Sequence, residues 1–258
     1  MPVNSKILFN DRIEEYTVLE QLLNEMGYEL EQGYTDHYLY EMKLQEIEKY
    51  NALVVSASPL ASSTRQITDS EIADAKRYIL KGEGGLLLIY SPSIYKQDKL
   101  NRATAQVMKI GETFGIKQYP DEVNDYSLTN RKNVNFLVEK HILTQGVKKI
   151  HSTDDFYPLV LNENIAKSLI SVKTTFECRF NPPNPDYWFH RKIKGIHPIF
   201  AINSDYRVAV LSPNDDIFND RSINLGDNKQ LALNLFPWLC GIEEKPETKK
   251  TLPFVYNP

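Results

Sequence analysis

Cysteine is scarce in this chain, with two in 258 residues, Cys178 and Cys240. Two thiols cannot build a disulfide framework, and their spacing fits no metal site. Cys178 falls in a strand pattern and Cys240 at a helix end beside Trp238, so both read as packed thiols. Long apolar runs are missing too. The longest fall far short of the roughly 20 residues that span a bilayer. The opening Met1-Pro2-Val3-Asn4-Ser5-Lys6 carries no apolar leader core. Charge of one sign is not in excess: 30 Lys and Arg against 34 Asp and Glu leave a net charge of −4. That balance offers no footprint for nucleic acid. None of the glycine fingerprints that cradle phosphate occurs. Gly82-Glu83-Gly84-Gly85 precedes a strand instead of following one, so it ends a helix. The expectation is a cytoplasmic protein with reduced thiols, no cofactor and no metal.

What is present is ordinary for a globular chain: 41% hydrophobic and 25% charged residues, with length enough for a sizeable core. Lys6 to Phe9 reads as a short strand. Ile13 to Met26 places Ile13, Tyr16, Leu19, Leu22, Leu23 and Met26 on one helical face, and Gly27 stops it. A strand over Tyr28 to Glu31, a helix over Leu39 to Tyr50 and an all-apolar strand over Ala52 to Ser56 follow. Thr68-Asp69-Ser70-Glu71 is a capping box that opens a helix reaching Leu80. Leu86 to Tyr90 is a strand covered on both faces. A helix fits Asp98 to Phe114. This rhythm predicts right-handed crossovers and a parallel sheet. Beyond residue 118 the alternation breaks down. Strands are predicted at Pro158 to Leu161, Ile165 to Ile170, Lys173 to Phe180 and Val208 to Leu211. A last helix over Lys229 to Leu239, capped by Asp227-Asn228, buries Leu231, Leu235, Trp238 and Leu239.

Three segments carry a family resemblance. The first is Asp69 to Tyr90, with its capped helix, glycine-rich break and apolar strand. The second is His141-Ile142-Leu143-Thr144-Gln145-Gly146-Val147, similar to a His-Pro-Ile-Thr-x-Gly-Val segment. The third is Arg207-Val208-Ala209-Val210-Leu211, followed by Asn214-Asp215-Asp216-Ile217-Phe218 and by Asp227-Asn228-Lys229-Gln230-Leu231. In this order they resemble the class I glutamine-amidotransferase-like superfamily, on the non-catalytic branch found in gliding-motility and intraflagellar-transport proteins. Ile142 replaces the proline, and Asn214 stands where an aspartate would begin the acidic motif. The resemblance implies a three-layer, flavodoxin-like α/β fold, with a mostly parallel central sheet, helices on both faces and an elaborated C-terminal half. The domain is expected over 1–241, with a tail over 242–258.

In that superfamily the nucleophile follows a strand such as Leu86 to Tyr90, in a strained small-x-nucleophile-x-small elbow. Here Ser91-Pro92-Ser93-Ile94 stands in its place. There is no cysteine, and proline and a β-branched residue resist the dihedrals of an elbow. No catalytic residue is assigned. The reading is a binding or assembly module with a protein partner or a second copy of itself. The alternative is a hydrolase of a sugar or amide, with Asp11 and Asp215 as its acid–base pair.

Ligands of open α/β sheets sit beyond the carboxyl ends of the strands. There the chain carries Asp11, Ser56, Ser91, Ser93, Asn214 and Asp215, small and polar enough to line a crevice for a small ligand. The same composition suits ordinary turns. Asp215, Asp216, Asp220 and Asp227 could hold a hard cation, but no calcium-loop spacing is present, and Asp and Asn dominate turns and caps. Tyr187, Trp188 and Phe189 follow the proline-rich Asn181 to Pro185 loop, and either contact a partner or close the sheet's edge. The tail ends in Leu252-Pro253-Phe254-Val255-Tyr256. Phe254 and Tyr256 either meet a partner or dock on their own domain.

Overall fold

The computed structural model describes residues 5–10, 16–32, 47–56, 68–90, 107–118, 123–128, 135–152, 158–180, 189–212 and 217–242, with the backbone alone at 10, 56, 118, 123–128, 175–180 and 189–193. The first half alternates β1 (Ser5–Asn10), α1 (Thr17–Glu25), β2 (Tyr28–Gln32), β3 (Ala52–Ser56), α2 (Asp69–Leu80) and β4 (Gly85–Ile89). A helical segment over 107–113 precedes the second half. There β5 (Ile116–Gln118), β6 (Val123–Leu128), β7 (Asn135–Val138), β8 (Leu159–Leu161), β9 (Lys167–Phe180), β10 (Phe189–Asn203), β11 (Val208–Leu211) and α3 (Asn228–Leu239) follow.

One nine-stranded sheet has the order β2-β1-β3-β4-β11-β10-β9-β6, with β7 also on β9. The neighbours from β2 to β11 are parallel. The segments around residues 6, 53 and 87 are therefore adjacent parallel strands, as expected: Ile7 pairs with Ala52, and Leu53 with Leu86. From β11 onward every pairing is antiparallel. Small β5 and β8 form a sheet of their own.

The parallel strands are apolar because both of their faces are covered. Successive side chains of a strand point to opposite faces. Ile7, Phe9, Ala52, Val54, Leu87, Ile89, Ala209 and Leu211 join one core with Leu19 and Leu23 of α1 and Leu231, Leu235 and Leu239 of α3. Leu8, Leu53, Val55, Leu86, Leu88, Val208 and Val210 join a second core with Ile72, Ala75 and Ile79 of α2 and Val107 and Ile110 of the 107–113 segment. Helices thus lie on both faces of the sheet. The α2 capping box is present: Thr68 Oγ1 accepts from the Glu71 N–H at 3.2 Å, and a Glu71 carboxylate oxygen accepts from the Thr68 N–H at 2.7 Å.

The second half departs from the sequence expectation in three ways. The predicted strands at 165–170 and 173–180 are one strand, β9, because Ser171 and Val172 stay in the ladder opposite Pro198 and His197. The long partner β10 was not foreseen, and it holds Gly195 and Pro198, residue types that weaken a strand. Proline is tolerated in a strand at a bulge, and the β10 register shifts between Pro198 and Phe200. The short strands β5, β6 and β7 carry no clear alternation in the sequence. Of the predicted helices at 39–50 and 98–114, only residues from 47 and from 107 lie among the described residues.

The β9–β10 hairpin also reaches further than the sheet it belongs to. Phe200 pairs with Leu211, the last residue of β11, so residues 189–198 of β10 run past the carboxyl edge of the parallel strands. They remain paired with β9 from Pro198–Ser171 out to Phe189–Phe180. At about 3.3 Å per residue the nine steps from Ser171 to Phe180 make an arm of roughly 30 Å. The strand β6 flanks its outer part and β7 its base, opposite Ile170 to Lys173.

One glycine marks a place where a helix end lies directly on the sheet. A Cβ on Gly85 would stand 2.4 Å from the Leu239 carbonyl oxygen and 2.7 Å from its Cα. The end of α3 thus presses on the start of β4. Gly85→Ala is expected to lower stability by about 1–3 kcal/mol through overpacking. Thr68→Ala should cost about 1 kcal/mol, by loss of the cap. Urea midpoints at constant m measure both. A Gly85→Ala protein as stable as the parent would refute the close contact.

Candidate functional site

The His141 segment folds as a single 3₁₀ turn, Ile142–Thr144, closed by a reciprocal cap. His141 Nδ1 accepts from the Leu143 N–H at 3.2 Å, and Thr144 Oγ1 accepts from the His141 N–H at 3.0 Å. The Thr144 hydroxyl donates to the Glu139 carbonyl at 2.5 Å. Gly146 continues the chain at φ 77°, a left-handed conformation that favours glycine. Because Nδ1 uses its lone pair on a backbone amide, the neutral ring carries its proton on Nε2. Burial pushes the His141 pKa below the usual histidine range, and the charge of Lys167 adds to this.

The start of α3 holds this segment in place. Asp227 sits at the N-cap position, yet its carboxylate makes no cap on its own helix. Its Oδ2 accepts instead from the Lys148 and Lys149 N–H groups, at 2.8 and 3.0 Å. The Lys148 backbone bond, the largest influence, holds the Asp227 carboxyl below the ordinary aspartate range. Asn228 is fully buried. Its Oδ1 accepts from the His151 N–H, and its Nδ2 donates to the His151 and Ser222 carbonyls. Nearly two helical turns on, Asn234 Nδ2 donates to the Leu143 and Gln145 carbonyls. Two of the segments that carried the family resemblance are therefore one structural unit. Neither pattern by itself says that the two touch.

The other described acid of the 214–227 stretch, Asp220, also serves the backbone, as does Asn219. Asp220 Oδ1 accepts from the Val18 N–H at 2.8 Å and so caps α1. Asn219 Oδ1 accepts from the Arg221 and Ser222 N–H groups. Among the described residues no cluster of three or more His, Cys, Asp or Glu is placed to hold a metal. Cys240 is a packed thiol, its pKa pushed up to about 12 by burial, against an opposing influence of Arg207.

The carboxyl ends of β1, β3, β4 and β11 lie side by side at one edge. The strand order reverses between β1 and β3, the switch point at which open α/β sheets bind ligands. Ser56 is the last residue of β3 and pairs with Ile89. Asp11, Ser91, Ser93, Asn214 and Asp215 follow β1, β4 and β11 in sequence and lie outside the described residues. Tyr187, Trp188, Phe254 and Tyr256 lie outside them as well. Phe189 opens β10 at the far end of the arm, opposite Phe180. In sequence, Asn181–Trp188 falls between β9 and β10 and lies outside the described residues.

A surface cleft of about 910 Å³ was not anticipated from the sequence. Phe136 and Val138 of β7, the 3₁₀ turn, and residues 145–148 line it. Its apolar members are Phe136, Val138, Ile142 and Val147, and its charged ones Glu139, Lys140 and Lys148. The only signal in the sequence was the His141 segment, which marked the resemblance and no site.

No protein-family model matches the chain, and no curated protein matches it in sequence. Solved structures do match in fold. A ThuA-like protein from Bacteroides uniformis aligns with a TM-score of 0.54 and 17% identity, over 92% of this chain and 91% of that one. Two Salmonella typhimurium proteins, described as cytoplasmic proteins STM1381 and STM3548, align at TM-scores of 0.54 and 0.55 and 12% and 11% identity. They cover 92% and 93% of this chain and 97% and 98% of their own. The chain therefore shares with these proteins an α/β fold in which helices flank a large central sheet. No described helix is long and apolar enough to cross a membrane.

The His141 cap makes the segment sensitive to pH. Protonated Nδ1 cannot accept from Leu143. The folded-state pKa lies below the unfolded value of about 6.5, so between the two the unfolded chain binds more protons. Stability is then full above pH 6.5 and falls as pH drops through the folded value. Melting temperatures from pH 7.5 to 5 should fall more steeply in the parent than in His141→Gln, which does not titrate. Equal slopes would remove His141 as the cause.

Proposed function

We propose that the protein is a non-catalytic, amidotransferase-like binding or assembly module, of the kind found in gliding-motility and intraflagellar-transport proteins, working in the cytoplasm. The observation that carries the reading is the β9–β10 arm. A hairpin that leaves its sheet by roughly 30 Å gains reach. Tyr187 and Trp188 fall in the stretch of sequence between its two strands and Phe189 opens β10, and aromatic residues are favoured anchors of protein interfaces. The strand β9 is paired on both edges, but among the described residues β10 has no second partner over 189–198, an edge suited to the addition of another strand.

Chemistry at the sheet edge has less support. The strand β4 runs into Ser91-Pro92-Ser93-Ile94, which lacks the elbow pattern. The hydrolase reading needs two acids of displaced pKa in one cleft. The described acid Asp227 is displaced downward by backbone donors, which suits a structural anchor better than an acid catalyst. A small ligand of such a module would sit at the switch point after β1 and β3.

Two measurements test this reading. Sedimentation velocity should show concentration-dependent self-association, weakened about tenfold or more by Trp188→Ala at an unchanged melting temperature. Deleting residues 246–258 should act the same way if Phe254 and Tyr256 are contacts. A large drop in melting temperature would instead place the tail in the core. Turnover of glutamine or of a simple ester that disappears in Ser91→Ala or Ser93→Ala would overturn the non-catalytic reading.

A further inference from the structure

We propose that the cleft between β7 and the 3₁₀ turn is a binding site for an amphipathic monocarboxylate, a small organic acid with an apolar body. The proposal extends the module reading by naming a ligand class, at a place remote from the arm tip.

The cleft has the size of a small-ligand site, about 910 Å³, within the range of roughly 300–1,000 Å³ that such sites occupy. Its wall is chemically divided. Phe136, Val138, Ile142 and Val147 supply the apolar part. Ile142 is 44% exposed, one of few large apolar side chains left to water among the described residues. It occupies the turn position where the resembling pattern has proline. Apolar surface kept open in a concave place is what a ligand's hydrocarbon body would cover.

The polar part favours an anion. Lys140 and Lys148 are both exposed on the lining, and neither has an ion-pair partner among the described residues. Glu139 is the single acid of the lining, so two cations against one anion leave +1 there, in a chain of net charge −4. The His141 ring adds a donor. Its Nδ1 is already an acceptor for the Leu143 N–H, which leaves a protonated Nε2 for any ligand. Glu139 disfavours a dianion, so one carboxylate fits better than a phosphate or a diacid. The site is also held in shape before anything binds. Asp227 and Asn234 fix the backbone at 143, 145, 148 and 149, and a preorganised wall loses less entropy on binding.

Octanoate and 3-phenylpropionate, each against its uncharged amide, are the probes, titrated into the full chain by calorimetry with NMR of the His141 imidazole. At least one acid should bind saturably and shift the His141 resonances, with its amide weaker by about tenfold or more. Octanoate alone would indicate an aliphatic body, and 3-phenylpropionate alone an aromatic one. Lys140→Ala/Lys148→Ala, at two exposed positions, should abolish the preference for acid over amide at an unchanged melting temperature. Ile142→Ser should weaken acid and amide alike. Equal affinity for acid and amide would overturn the proposal. So would acid binding that ignores the lysine pair, or no saturable binding of any of the four probes. The titration reads binding alone. Esterase or glutaminase turnover would therefore sink the module reading and leave this site standing, and failure of all four probes would do the reverse.

Discussion

A parallel strand in the middle of an open sheet has no face it can leave to water. Leu86, Leu87, Leu88 and Ile89 of β4 are all fully buried, two toward each core. Everything else in the architecture answers to that requirement. One core needs α1 and α3 above it, the other α2 and the 107–113 segment below. The close passage of Leu239 over Gly85 follows, because a helix end must lie almost on the strand to seal it. On the second face, Tyr78 is buried and its hydroxyl donates to the Tyr50 carbonyl. Tyr90 donates likewise to the Ile116 carbonyl, tying the small β5–β8 sheet to the end of β4. Each large aromatic brings a polar end that the backbone must satisfy, and here carbonyls at strand and turn ends do so.

Where regular structure ends, short polar side chains take over. The stretch from Glu139 to Ile150 has no strand partner after its first residue, whose N–H donates to the Leu169 carbonyl. Its backbone groups still need partners. Leu143, Val147 and Ile150 anchor it to the core from below. Asp227, Asn228 and Asn234 supply acceptors and donors from the side. This explains why the first residues of α3 are Asp and Asn although no side-chain cap forms on that helix. Asp220 and Asp227, two of the acids considered for a cation, are engaged in the same work, Asp220 accepting from the N–H of Val18, 202 residues earlier in the chain.

The arm obeys a different rule. Val172 still belongs to the first core, opposite Phe136 of β7, and beyond it the arm strands are held by cross-strand pairing with one another and with β6. Pro198 lies at the boundary. It gives no N–H to the ladder, and the register shift beside it marks where β10 stops being a strand of the main sheet and becomes a strand of the arm. Lys194 and Ile196 just past that point are exposed, Ile196 at 58%. A charged residue on such an edge discourages indiscriminate pairing while leaving room for a specific one.

Local chemistry made the first half legible. Thr68 and Glu71 define a helix start in four residues. Gly27 defines a stop, and an unbroken apolar run such as Ala52 to Val55 defines a doubly covered strand, because these signals act over one or two turns of chain. The layering and parallel order followed from their rhythm. The second half was less legible because its order depends on pairing between distant segments. Pro198 and Gly195 look like breakers until β9 and a bulge accommodate them. The site shows the same division. The sequence showed that Ser91-Pro92-Ser93-Ile94 is no elbow and that His141, Thr144, Asp227 and Asn228 carry a resemblance. Only the folded chain brings the His141 turn onto α3, commits Nδ1 of the ring to a backbone amide, and opens a cleft beside it. Those outcomes depend on hydrogen bonds across 79 and 91 residues of chain, and a linear pattern does not encode such distances.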